Sequence, residues 1–410
     1  MTSKVSSWGR AIGLALFAFY FLNGSVAAQK LLNKKLPANA AENDPYTEGG
    51  DPELMAAAGI LSHGAFLFAT SDVPEIDKYM GNSDIRWLET EHFELGFALG
   101  PYRVAQKEKK TFLAALTKLS ERLPTVKPGA KVIDPWLRAH LYAMRMEECY
   151  EQFLALVQME QKEFPAVSGN WNRQGTYPGE GPHMGQRGKF EVLILPAKAV
   201  HLDFLDHHYG LQLDRTQRWN VIERDSITLT IHVEQGSLKE DAALHGHLAF
   251  NLAHNLFDGL KHYSYDTPIW LHEGLAHWME RSINPKHNSF DGSEGSVPAT
   301  SKVKDWEAEV RKIVSKGKAP RMAALVRLNN YGQMDLPAHY CTWAMVDYLQ
   351  RTRPADFGAL IRDLKGRTTP EGQPDGSNLP DVHRDLFKQH FKMSYSAFDS
   401  AWAEWVLATY

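Results

Sequence analysis

Two stretches of this chain carry side chains that could ligate a metal ion or pass a proton, at spacings that set them on one face of a helix. Across residues 240–260, His247, Asn251, His254 and Asp258 recur at intervals of four, three and four. At about 100° per residue these four fall within a sector of roughly 60°. Across residues 268–281, Glu273, His277 and Glu280 make a second stripe of similar width. Imidazole and carboxylate are ligand types that zinc accepts. His254 and Asp258 are an i, i+4 pair on the first stretch, and Glu273 and His277 are one on the second. Together they could form a tetrahedral His/Asp/Glu/His site, with Glu280 or a tyrosine such as Tyr340 at hand to polarise a carbonyl. His247 is a weaker candidate, because it lies roughly 10 Å along the helix axis from His254. His272 adjoins Glu273 and projects about 100° away from it, so the string HEGLAH is not an HExxH motif. The same residues could also satisfy one another as a metal-free polar cluster, as buried histidine and carboxylate groups commonly do.

The elements that must position these side chains are legible around them. Leu244, Leu248, Leu252, Leu256 and Leu260 recur every four residues beside the first stripe, an apolar face that the helix must bury. For the second helix, Thr267 is a suitable N-cap and Pro268 stands where proline is favoured in a first turn. Trp270, Leu271, Leu275, Trp278 and Met279 cover the side away from Glu273. The short connection between the two helices favours their packing together.

His254 lies 19 positions before Glu273, and at this spacing a resemblance becomes visible. The chain resembles the gluzincin zinc metallopeptidases, whose signature is HExxH followed by eighteen residues and a Glu. Phe250-Asn251-Leu252-Ala253-His254 stands in the HExxH position, and Glu273 falls where the third ligand would be. The segment Pro268-Ile269-Trp270-Leu271-His272-Glu273-Gly274-Leu275-Ala276 is similar to the P-x-W-L-x-E-G-L-A segment of the exported peptidase-MA-like group. Thr90-Glu91-His92-Phe93, the strand 190–195, the segment from His339 to Ala344 and the stretch 387–406 extend the likeness over roughly residues 85–410. The resemblance implies a thermolysin-like catalytic-domain architecture, a zinc cofactor and a peptide or protein in the cleft.

The chain departs from the gluzincin pattern at two positions that carry the chemistry. Phe250 replaces a ligand, and phenylalanine cannot bind a metal. Asn251 replaces the general base, and an amide does not accept a proton at neutral pH. Loss of a general base costs roughly 10²- to 10⁴-fold in rate. The expectation is therefore a degenerate relative, impaired or inactive as a peptidase, that binds a peptide, a protein or an envelope component. The alternative is an active metal-dependent hydrolase with a remodelled site at His254, Glu273, His277 and Asp258. A third reading uses the eleven tryptophans for assembly within an envelope complex.

The rest of the chain bounds these readings. Lys4 and Arg10 precede an apolar run, 11–22, which Asn23 and Gly24 break ahead of Ser25-Val26-Ala27-Ala28. That order is a signal peptide's, and the run is short of the roughly 20 residues a span requires. The expectation is an exported protein, periplasmic or extracellular, with no stable membrane span after cleavage. Removing residues 1–28 shifts the formal net charge from -4 to -6, which leaves no basic footprint for nucleic acid. Cys149 and Cys341 are the only cysteines; they could pair in an oxidising compartment, but two at this separation make no disulfide framework.

Strands are expected at 86–97, 189–195 and 227–233, where β-branched and aromatic residues alternate. Helices are expected at 111–119 and 135–163, the latter with Asp134 as N-cap and Pro135 at its first position, then at 240–260, 268–281, 303–315, 337–351, 357–364 and 380–407. Residues 168–188 read as a flexible glycine-rich loop and 367–378 as a surface loop. The fold class is α+β: a small mixed β-sheet with helices, followed by a mostly α-helical C-terminal half. The divisions are 1–28 (signal), 29–84 (tether and N-terminal segment), 85–238 (α/β part with a helical insertion), 239–281 (helix pair) and 282–410 (helical part).

Overall fold

The computed structural model describes residues 39–64, 66–81, 83–169, 177–264, 267–290, 304–371, 373 and 375–410. The expected signal segment 1–28 and part of the loop 168–188 lie outside them. The architecture is α+β, with thirteen α-helices among the described residues and one mixed five-stranded sheet. In chain order the labelled elements are β1 (Arg86–Glu89), β2 (Phe93–Phe97), α1 (Lys109–Ser120), α2 (Pro135–Val157), β3 (Phe190–Leu195), α3 (Lys198–Tyr209), β4 (Gln217–Val221) and β5 (Ser226–His232). The helical half follows as α4 (Asp241–Gly259), α5 (Ile269–Ile283), α6 (Trp306–Ser315), α7 (Leu336–Thr352), α8 (Pro354–Lys365), α9 (Leu379–Phe391) and α10 (Tyr395–Thr409). No helix among the described residues is long and apolar enough to cross a membrane.

The sheet order is β1-β2-β3-β5-β4, parallel at β2/β3 and β3/β5 and antiparallel at both edges. Alternate residues such as Leu95, Val192 and Leu229 build one apolar face, which α2 and α4 cover. The opposite face carries Glu94, Glu191 and Thr228 side by side across three strands. Arg224 bonds both carboxylates. Glu191 also accepts from the Ala69 N–H at 2.8 Å and from Thr228 Oγ1 at 2.5 Å. Burial and the neighbouring Glu191 push the Glu94 carboxyl up to about 7.

Several expected elements are differently bounded. Residues 86–97 are two strands, because Glu91 and His92 turn the chain and the Thr90 N–H bonds the Phe93 carbonyl at 2.9 Å. The stretch 135–163 stays helical only to Val157, where Gln158 turns left-handed. Residues 380–407 break into α9 and α10 at Lys392, which has φ +57°, and the Ser394 side chain caps α10. Thr267 does not cap α5: Pro268 holds the N-cap position, and the Thr267 hydroxyl bonds His272 instead. Asp134 does cap α2, accepting from the Trp136 and Leu137 N–H groups at 3.0 Å each. Helix α3 and strand β4 were not anticipated; β4 pairs only with β5 and lies at the edge of the sheet.

The described end of the glycine-rich loop is packed, not flexible. Its Met184 and Gln186 are fully buried, Met184 N–H bonds the Tyr150 hydroxyl at 2.9 Å, and Lys261 N–H bonds the Met184 carbonyl. Gly185, at φ +98°, lies so close to Lys261 that a Cβ would stand 2.5 Å from its Cα. Glycine serves close approach there. Cys149 and Cys341 are free and buried, and burial pushes both thiols up to about 12.

Helix α4 starts on a buried ion pair. Asp241 accepts from Arg145 Nη1 and Nη2 at 3.0 and 2.9 Å and from the Tyr142 hydroxyl at 2.8 Å. Burial raises this carboxyl, but Arg145 more than reverses the effect and leaves it below the ordinary value. Breaking a buried pair strands the remaining charge. Asp241→Asn should therefore lower stability by about 3–5 kcal/mol at pH 7, measured by urea unfolding. Because the folded-state pKa is depressed, this stabilisation is full above the unfolded value of about 3.9 and is lost as pH falls through the folded value. The parent and variant curves should converge in acid.

Candidate metal centre

The polar stripe of α4 is buried along with the leucine stripe, so its side chains must find partners inside the protein. They divide into two networks. His247 bonds Thr216 Oγ1 at 2.7 Å and Ser289 Oγ at 2.8 Å. Asn251 accepts from Arg218 Nη1 at 2.7 Å and donates to the His247 carbonyl at 2.8 Å. The Asn251 amide is thus committed on both sides. His254 and Asp258, the other half of the stripe, turn toward α5.

Glu273 is the centre of the second network. His254 Nε2 lies 3.5 Å from its Oε1. His277 Nε2 and His339 Nδ1 lie 3.4 and 3.3 Å from its Oε2, and these two nitrogens are 3.1 Å apart. On the far side His277 Nδ1 stands 3.7 Å from Glu280 Oε2, and Glu280 is held by the Ser289 N–H at 2.8 and 2.9 Å. Beyond His254 the chain of contacts continues through His272, whose Nδ1 lies 3.3 Å from His254 Nδ1 and whose Nε2 lies 3.2 Å from Asp258 Oδ1.

Of the four residues proposed from sequence, the structure gathers His254, Glu273 and His277 and sets Asp258 apart, with His272 between Asp258 and His254. His272 does project away from the Glu273 carboxylate, yet it joins the network through His254. The residue that sequence reasoning missed is His339. It comes from α7, 62 positions after His277, and no spacing rule links the two. Its only signal was its place in the family-like segment that begins at His339. Among the described residues, Glu273, His277 and His339 are the group that could hold a metal ion, with one ligand atom from each all within 4.8 Å of one another.

Gly274 explains why α7 reaches the site. A Cβ there would stand 2.9 Å from the Thr342 carbonyl oxygen and 2.8 Å from Val346 Cγ2. Only glycine lets the two helices approach this closely, and the approach sets His339 against its partners on α5. Phe250 lies beside the cluster, its ring 4.9 Å from that of His254 and 5.2 Å from that of His277. It supplies a wall and no donor atom.

Burial governs the charge states. Burial alone would raise the Glu273 carboxyl, but the imidazoles of His277 and His339 hold it well below the usual range. Burial draws His277 down, yet Glu273 and Glu280 leave it above its ordinary value. Burial lowers His254, with Arg218 adding to the effect. It also lowers His339 and takes His272 down to about 3. These last three imidazoles are therefore neutral at pH 7, the form in which a ring nitrogen can ligate a metal.

The centre is sealed among the described residues: Glu273 and His277 are 0 % exposed and His339 is 3 % exposed. A groove of about 690 Å³ runs over the outer side of α5 and α7, lined by Trp278, Arg281, Trp306, Trp343, Asp347 and Arg351 among others. Trp306, itself fully buried, stands between this groove and the centre, edge-on to His277 at 4.9 Å. The Arg281 guanidinium lies 4.3 Å from the Trp306 ring and 4.9 Å from that of Trp343.

Comparison with protein families, with curated proteins and with solved structures finds no match to this chain.

Gly274→Ala should lower stability by about 1–3 kcal/mol through overpacking, even though alanine is the better helix former by about 1 kcal/mol. Urea unfolding measures this. A change within about 0.5 kcal/mol, the range of neutral surface substitutions, would show that the helices do not depend on the glycine.

Proposed function

We propose that this chain is an exported, gluzincin-like protein that has given up peptide hydrolysis and works by binding a peptide or protein segment. The observation that carries this reading is the state of Asn251. At the position of the general base stands an amide whose oxygen is taken by Arg218 and whose nitrogen is taken by the His247 carbonyl. No carboxylate is set there to activate a water, and the Phe250 ring adds a wall in place of a ligand. The export part of the reading rests on the N-terminal segment, and the thermolysin-like ancestry rests on the residues around Glu273.

The groove beside Trp278 and Trp343 is the surface that suits such a ligand. It sets the partly buried Trp278 and the buried Trp343 beside Arg281 and Arg351, and tryptophan and arginine are the residues that most often dominate binding energy. The reading does not require a metal, since it depends on the missing base.

The test is a broad peptide library offered to the purified protein, with zinc and with a chelator. No chelator-sensitive cleavage is expected. Peptides that bind should quench tryptophan fluorescence saturably, and Trp278→Ala should weaken them about tenfold or more. Chelator-sensitive hydrolysis that disappears in Glu273→Gln would overturn the proposal in favour of a remodelled hydrolase.

A further inference from the structure

The buried titratable clusters of this protein are of two kinds. In most, the carboxylate is fully provided for. Glu191 takes Arg224, Thr228, Ser226 and the Ala69 N–H. Asp44 takes His140 at 2.7 Å, His63 at 3.0 Å and Thr47 at 2.7 Å. Asp241 takes Arg145 and Tyr142. Two carboxylates are exceptions: Asp258, at Oδ1 alone, and Glu273. Neither oxygen of Glu273 has a hydrogen bond of good geometry, and His254 Nε2 and His339 Nε2 are likewise without one. Its imidazole neighbours stand at 3.3–3.5 Å, outside the roughly 2.7–2.9 Å of a charge-assisted hydrogen bond.

Those distances have a different meaning for a metal. Glu273 Oε2, His277 Nε2 and His339 Nδ1 form a triangle with edges of 3.1, 3.3 and 3.4 Å. Tetrahedral zinc, with ligand bonds of about 2.0–2.1 Å, holds neighbouring ligand atoms about 3.3–3.4 Å apart. The triangle therefore has the size of one face of a zinc coordination tetrahedron. The surroundings fit as well. A metal-bound histidine ordinarily turns its other ring nitrogen to a carboxylate, and His277 Nδ1 faces Glu280, which the Ser289 N–H holds in place.

We propose that Glu273, His277 and His339 are the ligands of a structural divalent metal ion that ties α5 to α7. A donor set of two imidazoles and one carboxylate suits zinc and its neighbours cobalt and nickel; magnesium and calcium prefer all-oxygen sites. His339 takes the part that Phe250 leaves vacant, and Asp258 has no part in it. Three protein ligands leave one tetrahedral position to a non-protein ligand, but the rings of Phe250, Phe290 and Trp306 lie 4.9–5.2 Å from that of His277 and wall the site off from substrate, so the ion's role is structural. This inference does not depend on the binding reading. A metal-loaded protein that cleaves peptides supports the site and overturns that reading, whereas an inert protein that takes no metal does the reverse.

The experiment is elemental analysis of the purified full chain after dialysis against zinc, together with the visible spectrum of the cobalt-substituted form and its melting temperature with and without chelator. One zinc per chain, a tetrahedral cobalt spectrum and a lower melting temperature on chelation are expected. His339→Ala and Glu273→Gln should lose the ion. Asp258→Asn should keep it, and Glu280→Gln should keep it with affinity lowered about 10- to 100-fold. Circular dichroism on each variant separates loss of the ion from loss of the fold. A folded wild type that takes up no zinc would overturn the proposal, as would a His339→Ala variant that binds as tightly as the parent.

Discussion

A carboxylate that no water reaches must be matched by positive charge or by strong donors within a few ångströms, because an isolated buried ion is many kcal/mol out of balance. Glu273 imposes that condition on three helices at once. Helix α5 brings His277 toward it from its own next turn, α4 brings His254 and α7 His339, each to 3.3–3.5 Å. The demand then spreads outward: His277 leans on Glu280, Glu280 on the Ser289 backbone, and His254 on His272. Much of the packing in the helical half follows from how these imidazoles are brought together, and Gly274 is the backbone condition that permits it.

The sheet half meets the same kind of demand differently. Arg224 and Arg145 are delocalised cations that stay charged in the interior, so Glu94, Glu191 and Asp241 are matched by fixed charge. Around Glu273 the partners are imidazoles, whose charge depends on a proton or a metal. Around Glu94, Glu191 and Asp241 the matching cation keeps its own charge, whereas around Glu273 the match depends on what the imidazoles carry.

The sequence was informative where a signal is local. The 3.6-residue periodicity of 240–260 and 268–281, the Asp134 cap and the alternation in β3 and β5 each rest on neighbouring residues, and the elements formed close to where they were expected. The strand 86–97 and the helix 380–407 were merged because apolar spacing runs through both breaks, although Glu91-His92 and Ser394 were available as punctuation. Strand β4 (Gln217–Val221) has no apolar alternation, since an edge strand that is only half buried requires none. At the site, the i, i+4 pairing of Glu273 with His277 was readable because one helix fixes it. His339 was not readable as a partner, because its placement depends on how α7 crosses α5. Asp258 had the right spacing on its own helix, yet His272 stands in the way, a fact of packing that no periodicity contains.

The bond between Arg218 and Asn251 restricts what a side chain at position 251 can do. A carboxylate introduced at position 251 would meet a guanidinium whose Nη1 now lies 2.7 Å from the amide oxygen. Such a carboxylate would be locked as the anion of an ion pair, too weak a base to take a proton from water. Strand β4, which brings Arg218 to this spot, thus governs the charge at position 251 from outside the helix pair. A basic carboxylate at position 251 would require a change at the edge of the sheet as well as on α4.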